Sequence, residues 1–280
     1  MRVVLTPSRA PLAGAPPHTT CWECSLGPTF WSANRATTRR VSNRGTGHAR
    51  HRLRGSKATW CESVCGVQLS LALARTVIAD VFAELSEYGR RHHATIARYD
   101  LGGVGDPRTL TGQEVARTRI IASRISNSQS AWFVERARTA PWGDVPTGAS
   151  LVNADPDERD GLYDAAVALH EHFRTGAPAG VAAAKLHKVL HLKRPGLFPI
   201  LDSRLLATYA TAASLAASQH PTCGARRLCW ASIREDLTDK QNADALADAR
   251  ARLAADGDPK VAAMARLTDL RLLDAVAWRS

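Results

Sequence analysis

From about residue 67 onward, apolar positions recur at helical spacing. Val77, Val81, Phe82, Leu85 and Tyr88 fall at i, i+4, i+5, i+8 and i+11, one face of a helix predicted to end near Gly89. Gly102-Gly103-Val104-Gly105-Asp106-Pro107 reads as a loop. Thr111 and Glu114 have the spacing of a capping box, which opens a helix through Val115, Ile120, Ile121 and Ile125. A second start falls near Ser126 or Ser128, with Trp132 and Phe133 inside. Asp155 as cap, Pro156 at the first helical position and Asp157 and Glu158 in the first turn predict a helix that runs through Leu162, Leu169 and Phe173 to Arg174. Further helices are expected over 179–192, from 199–202 through Leu205, Leu206 and Tyr209, and over 226–237, 242–254 and 259–278. The last carries an apolar stripe of Val261, Met264, Leu267, Leu270, Leu273 and Val276. No alternating strand pattern, Asn-Gly hairpin or internal repeat appears. The prediction is an all-α fold, a single bundle of seven to nine helices over residues 67–280, with no sheet larger than a stray pair.

Residues 1–66 show no sustained period. Stretches such as Ala15-Pro16-Pro17-His18-Thr19-Thr20 and Arg39-Arg40-Val41-Ser42-Asn43-Arg44 offer too little apolar surface to offset the entropy of ordering them. They read as a disordered basic segment outside the core, with the composition of an upstream extension. This matters for charge. The chain's net charge is +11, which invites a nucleic-acid partner. Yet residues 1–66 carry ten Lys and Arg against Glu23 and Glu62, whereas residues 67–280 carry 27 against 24 acids. The helical part is close to neutral, so bulk charge alone does not argue for DNA binding. No 18-residue apolar run exists, and Met1-Arg2-Val3-Val4-Leu5 is too short for a signal-peptide core. A cytoplasmic protein without a membrane partner is expected, and nothing in the pattern reports its oligomeric state.

The most distinctive stretch runs Ala184-Lys185-Leu186-His187-Lys188-Val189-Leu190-His191-Leu192-Lys193-Arg194-Pro195-Gly196-Leu197-Phe198-Pro199-Ile200-Leu201-Asp202-Ser203-Arg204. Seven basic or imidazole side chains gather on a helix, a Pro-bounded turn and the start of the next helix. Asp202 closes the apolar run and stands where it can cap that helix or project into a cleft. The stretch resembles the hallmark of a bacterial family of unknown function, of the form Lys-x-Leu-His-x-Lys-Arg-Pro-x-Leu-x-Pro-Ile-x-Asp. The segment 110–126, with Arg117-Thr118-Arg119 and Ser123-Arg124-Ile125-Ser126, appears in the same family.

More distantly, Phe198-Pro199-Ile200-Leu201-Asp202-Ser203-Arg204-Leu205 is similar to the core of helix-hairpin-helix DNA glycosylases. That resemblance implies DNA as partner, base excision as activity, Asp202 as the catalytic carboxylate and Lys185 as its lysine. Such an aspartate stabilises positive charge developing on a flipped nucleotide's sugar, and such a lysine attacks the sugar carbon. The hairpin of that family, roughly Leu-Pro-Gly-Val-Gly, is replaced here by Gly176-Ala177-Pro178-Ala179-Gly180, and no four-cysteine cluster follows.

Lys188, Lys193, Arg194 and Arg204, together with Arg117, Arg119 and Arg124, are the candidate nucleic-acid contacts. The competing account makes Asp202 a helix cap and ion-pair partner, the cations a solvated face, and the protein a non-catalytic helical interaction module. What separates the two is whether these cations line one concave surface with Asp202. His187 and His191, at i and i+4, could join Asp202 at a metal, but the neighbouring lysines repel a cation and no metal is expected. Cys21-x-x-Cys24 and Cys61-x-x-x-Cys65 could supply four thiolates to zinc, but the second pair has the wrong spacing for a knuckle and the span between the pairs is longer than a usual ribbon. No Walker loop, Gly-x-Gly-x-x-Gly run, Gly-x-Ser-x-Gly elbow or His-Glu-x-x-His occurs, so no cofactor is expected.

Overall fold

The structure is a computed structural model that describes residues 70–74, 76–219 and 229–279. The readings made for residues 1–66, including the cysteine pairs, lie outside these. At the start of the described chain a hairpin replaces the expected helical turn. β1 (Leu71–Leu73) pairs antiparallel with β2 (Thr76–Ile78), Leu71 opposite Ile78. Val77, assigned above to a helix face, is 68% exposed on β2. The hairpin is fixed from outside: Asn242 Oδ1 accepts the Ala72 N–H, and Asn242 Nδ2 donates to the Ala72 carbonyl. A three-residue strand lacks the length to show a period, so tertiary hydrogen bonds decide its conformation.

Asp80 caps α1 (Val81–Thr95) by accepting from the Ala83 amide. Gly89 does not end this helix. Its missing side chain admits a neighbour, since a Cβ there would lie 2.9 Å from Met264 Cγ and 3.0 Å from the Lys260 carbonyl. The helix kinks at His92 (φ −113°, ψ 16°) and passes into a π-turn, Ile96–Asp100. α2 (Gly112–Arg117) and α3 (Asn127–Ala137) each open with a complete capping box, Thr111 with Glu114 and Ser126 with Gln129. α4 (Leu162–Arg174) starts later than the Asp155 signal predicts. Asp155 does accept from the Asp157 amide, but Asp160 adopts a left-handed φ of 57°, which no helix continues through.

α5 (Ala183–Lys193) leads through the Pro-bounded turn to α6 (Ser203–Gln219), and α7 (Trp230–Thr238) and α8 (Lys240–Ala255) follow. The predicted last helix is two: α9 (Pro259–Ala262) and α10 (Asp269–Arg279). Leu267 is extended between them, and the Thr268 hydroxyl accepts from the Arg271 amide while donating to the Pro195 carbonyl. The described residues thus form ten α-helices and one small hairpin, one helix above the expected range.

α10 sits at the centre, packed against α1, α6, α7 and α8. Every residue from Leu270 to Ala277 is buried, Arg271 and Asp274 included. A helix enclosed on all sides leaves two ionisable groups needing partners in the interior, because burying an unpaired charge is costly. Among the described residues, no helix is long and apolar enough to cross a membrane.

Candidate functional site

The interior charges of α10 point to one cleft of about 270 Å³, lined by α1, the segment after α2, α5, the turn before α6, and α10 itself. Its walls are Tyr88, His92 and Trp278. Their rings meet edge to face, His92 at 5.5 Å and 90° to Trp278, and Tyr88 at 6.3 Å and 86° to the same ring. Opposite them lie Ile120, Ile121 and Ala122. Ala122 holds a left-handed φ of 59°, an uncommon conformation for a residue with a Cβ. The kink in α1 brings His92 to the wall, and the π-turn carries Asp100 beneath it. Such turns often mark functional sites.

The floor is ionic. Arg271 Nε donates to Asp100 Oδ1 at 2.7 Å, and its Nη2 donates to the Tyr88 hydroxyl at 2.9 Å. Burial opposes the guanidinium's charge, but Asp100 outweighs it and holds the Arg271 pKa well above its ordinary value. Asp274 is different. Its Oδ2 accepts the Ile200 N–H at 2.9 Å, while its buried Oδ1 has no hydrogen-bond partner. Burial raises its pKa to about 7, and Arg271 and the Ile200 amide only partly offset that effect.

At the mouth stand Lys188 and Asp202. Lys188 Nζ donates to the Ile121 carbonyl at 2.9 Å, and burial lowers its pKa against the opposing pull of Asp202. Asp202 caps α6, with Oδ1 accepting from the Arg204 and Leu205 amides, and Oδ2 accepts the Trp278 indole N–H at 3.1 Å. The carboxylate therefore does both things the sequence left open, capping a helix and facing a cleft. Behind Lys188, the Tyr99 hydroxyl donates to its carbonyl, and the Tyr99 ring stacks on His191 at 9°.

The remaining cations of the motif are elsewhere. Lys185, the partner expected for Asp202, donates to Gln129 Oε1 and does not line the cleft; Lys188, one turn further along α5, does. Lys193 is fully buried: its Nζ donates to the Val104 and Asp106 carbonyls and pairs with Glu114. Arg194, 1% exposed, donates to the carbonyls of Val145, Pro107, Trp142 and Lys193, and lies over the Trp142 ring. Neither reaches solvent, so neither meets a phosphate. Arg117 donates to the Gly102 and Gly103 carbonyls and clamps the same loop as Lys193. The cations thus do not line one concave surface: Lys188 and Asp202 lie in the cleft, and Lys193, Arg194 and Arg117 hold loops.

Exposed arginines flank the cleft. Arg204 lies 4.6 Å over the Trp278 ring and donates to its carbonyl. Arg98 and Arg119 line an open depression that shares Thr95 and Ile120 with the cleft. Arg124 is exposed but does not line the cleft.

His187 and His191 do not converge on Asp202. His187 Nδ1 donates to the Ala183 carbonyl and Nε2 accepts the Trp230 indole N–H; His191 Nδ1 donates to the Phe198 carbonyl. These partners make His187 neutral and place a proton on His191 Nδ1, and burial depresses the two pKa values to about 3 and about 4. Among the described residues, no group of three or more His, Cys, Asp or Glu is arranged to hold a metal.

Asp100, Arg271, Asp274 and Trp278 escaped the sequence reading. One signal was present: Leu270-Arg271-Leu272-Leu273-Asp274-Ala275-Val276-Ala277 is apolar on every face but for an i, i+3 charge pair. That is the pattern of a buried helix delivering charge to an interior site.

Fold and cleft define a helical domain built around an enclosed ionic floor with an aromatic-walled opening. The model of a family of unknown function, DUF6308, matches residues 76–280, and the chain belongs to that family. No curated protein and no solved structure matches it.

Proposed function

We propose that the cleft is a base-excision-type active site acting on DNA, with Asp202 as the catalytic carboxylate and Lys188 as its amine. The observation that carries this reading is that Lys188 and Asp202 both line one aromatic-walled pocket. About 270 Å³ lies at the small end of ligand sites, enough for one planar base and too little for a dinucleotide cofactor. Aromatic walls suit a base taken out of its stack, and Arg98, Arg119 and Arg204 around the opening suit flanking phosphates.

In this reading the glycosidic bond breaks with its electron pair leaving on the base, and Asp202 stabilises the positive charge that develops on the sugar. Lys188, its amine favoured by burial, bonds to the sugar carbon, and the proton it sheds passes to Asp202. Lys185 lies outside the chemistry.

The test is a base-release and strand-nicking screen of the full chain across a panel of damaged duplexes at low salt. Wild type and Lys185→Ala are expected to release a base from at least one lesion, whereas Asp202→Asn and Lys188→Ala release none while still binding duplex. No release by wild type on any lesion, together with no duplex binding, overturns the proposal and leaves a non-catalytic helical module. That second reading draws on Lys193 and Arg194, which hold loops rather than ligands.

A further inference from the structure

The pocket contains a group that the proposed chemistry does not use. Asp274 is 3% exposed, at the floor, on the central helix. One of its oxygens is committed to the Ile200 amide and the other, Oδ1, is buried without any partner. Buried polar atoms are almost always hydrogen-bonded, and an exception on the wall of a cavity marks a place where something else completes the bond. We infer that Asp274 is a ligand-reading residue of this pocket, donating a hydrogen bond from Oδ1 to an acceptor atom on the buried edge of a planar base. The inference rests on the base-binding part of the function proposed above and extends it to the chemistry of the ligand.

A carboxyl can donate only while it keeps its proton, and the surroundings favour that form. From its own helix Asp274 faces Arg271, which is already engaged by Asp100 and by the Tyr88 hydroxyl. From the π-turn it faces the Asp100 carboxylate and the Tyr99 phenol; from the turn before α6, the Asp202 carboxylate; from α6, the Tyr209 phenol. Lys188 of α5 and His92 of α1 share the pocket, and His191 is held neutral nearby. Two carboxylates and burial outweigh one guanidinium that is already committed, so a third negative charge is disfavoured. The Asp274 proton is accordingly held up to about pH 7. Asp202 and Asp274 thus divide the labour of two carboxyl groups by environment, one at the mouth and one buried at the floor.

The ligand this selects is a planar ring with a ring nitrogen or carbonyl oxygen at its buried edge, gripped by the rings of Trp278, Tyr88 and His92. A ligand presenting only N–H groups there would require the ionised acid and would show the opposite pH dependence.

The experiment measures binding of free adenine and free uracil, both essentially neutral across the interval, by saturation-transfer NMR at about pH 5.5 and about pH 8. For wild type, at least one base is expected to bind roughly tenfold more weakly at the higher pH, the fall in the neutral fraction of an acid titrating near 7. Asp274→Asn keeps an acceptor for the Ile200 amide and a permanent donor towards the pocket. It is expected to bind as wild type does at the lower pH and to lose the pH dependence. Infrared difference spectra should show a protonated-carboxyl band in wild type that is missing from Asp274→Asn. Tighter binding at high pH, pH-independent binding by wild type, or an unchanged pH dependence in Asp274→Asn overturns the inference. So does the absence of binding by either base. Base binding without base release on any lesion sinks the excision chemistry alone. Base release with unchanged pH dependence in Asp274→Asn sinks the role of Asp274 alone.

Discussion

Lys188 and Lys193 stand five residues apart on α5, in one basic motif, and their ammonium groups end in unlike places. Lys193 spends its donors on Val104, Asp106 and Glu114 and is fully buried. Lys188 donates to Ile121 and faces a cavity shared with Asp202 and Asp274. Arg194, next in sequence to Lys193, completes the contrast, because its guanidinium joins the 107, 142 and 145 carbonyls into one rigid junction. The lesson is physical. A run of cations in sequence says nothing of partners, and each side chain is decided by whether orphaned carbonyls or open space lie within its reach.

That contrast predicts where the protein breaks. Arg194→Ala strips the buried Val145 and Lys193 carbonyls of their guanidinium donor and loosens the Pro107 and Trp142 carbonyls, at a cost of about 3–5 kcal/mol in unfolding free energy. Arg194→Lys should not rescue it, because one ammonium cannot reproduce the guanidinium fork. Lys193→Met should cost less, about 2 kcal/mol, since Glu114 is partly exposed and can hydrate. Urea denaturation measures both, and a loss below about 1 kcal/mol for Arg194→Ala would show that the junction is not structural.

The next effect is carried by pH. His187 and His191 titrate in the folded state at about 3 and about 4, below their unfolded value of 6.5. Their contribution is complete above that value and is lost as pH falls through the folded values, so it gives stability that rises with pH. Asp274 has the opposite sign. Its folded pKa of about 7 lies above the unfolded 3.8, so its contribution is complete at low pH and is lost as pH rises towards 7. In wild type the two slopes oppose each other between about pH 4 and about pH 6.5. Asp274→Asn removes one of them, and its unfolding free energy relative to wild type should climb by roughly 2–4 kcal/mol from about pH 4 to about pH 8. A constant difference between the two proteins over that interval would show that Asp274 is ionised throughout.

The smallest expected effect on stability is at the mouth of the cleft. Asp202→Asn should cost about 1 kcal/mol, because Asn caps a helix about as well as Asp but sets its amide nitrogen against the Trp278 N–H, which loses its acceptor. A thermal-melt shift as large as that of Lys193→Met would place Asp202 with the clamps instead of with the site.

Several elements were legible before folding because their determinants are local. The capping box of Thr111 with Glu114, the helix start near Ser126 and the cap formed by Asp202 depend on groups within three residues of one another. The failures are cases where a local signal met a distant one. Asp155 is a good cap that opens only a turn, because Asp160 turns left-handed before the helix can propagate. Gly89 reads as a stop but serves as a point of close approach for Met264.

By itself, the sequence determined an all-helical domain, the apolar stripe of the C-terminal helices, and the helix cap at Asp202. Those follow from periodicity and capping, which act over one or two turns. Only the tertiary structure decided which lysine shares the cleft with Asp202, that Lys193 and Arg194 are internal clamps, and that Arg271, held by Asp100, and Asp274 line its floor. Those outcomes depend on contacts such as Arg271 with Asp100, 171 residues apart, and burial sets the charge states only once such contacts exist.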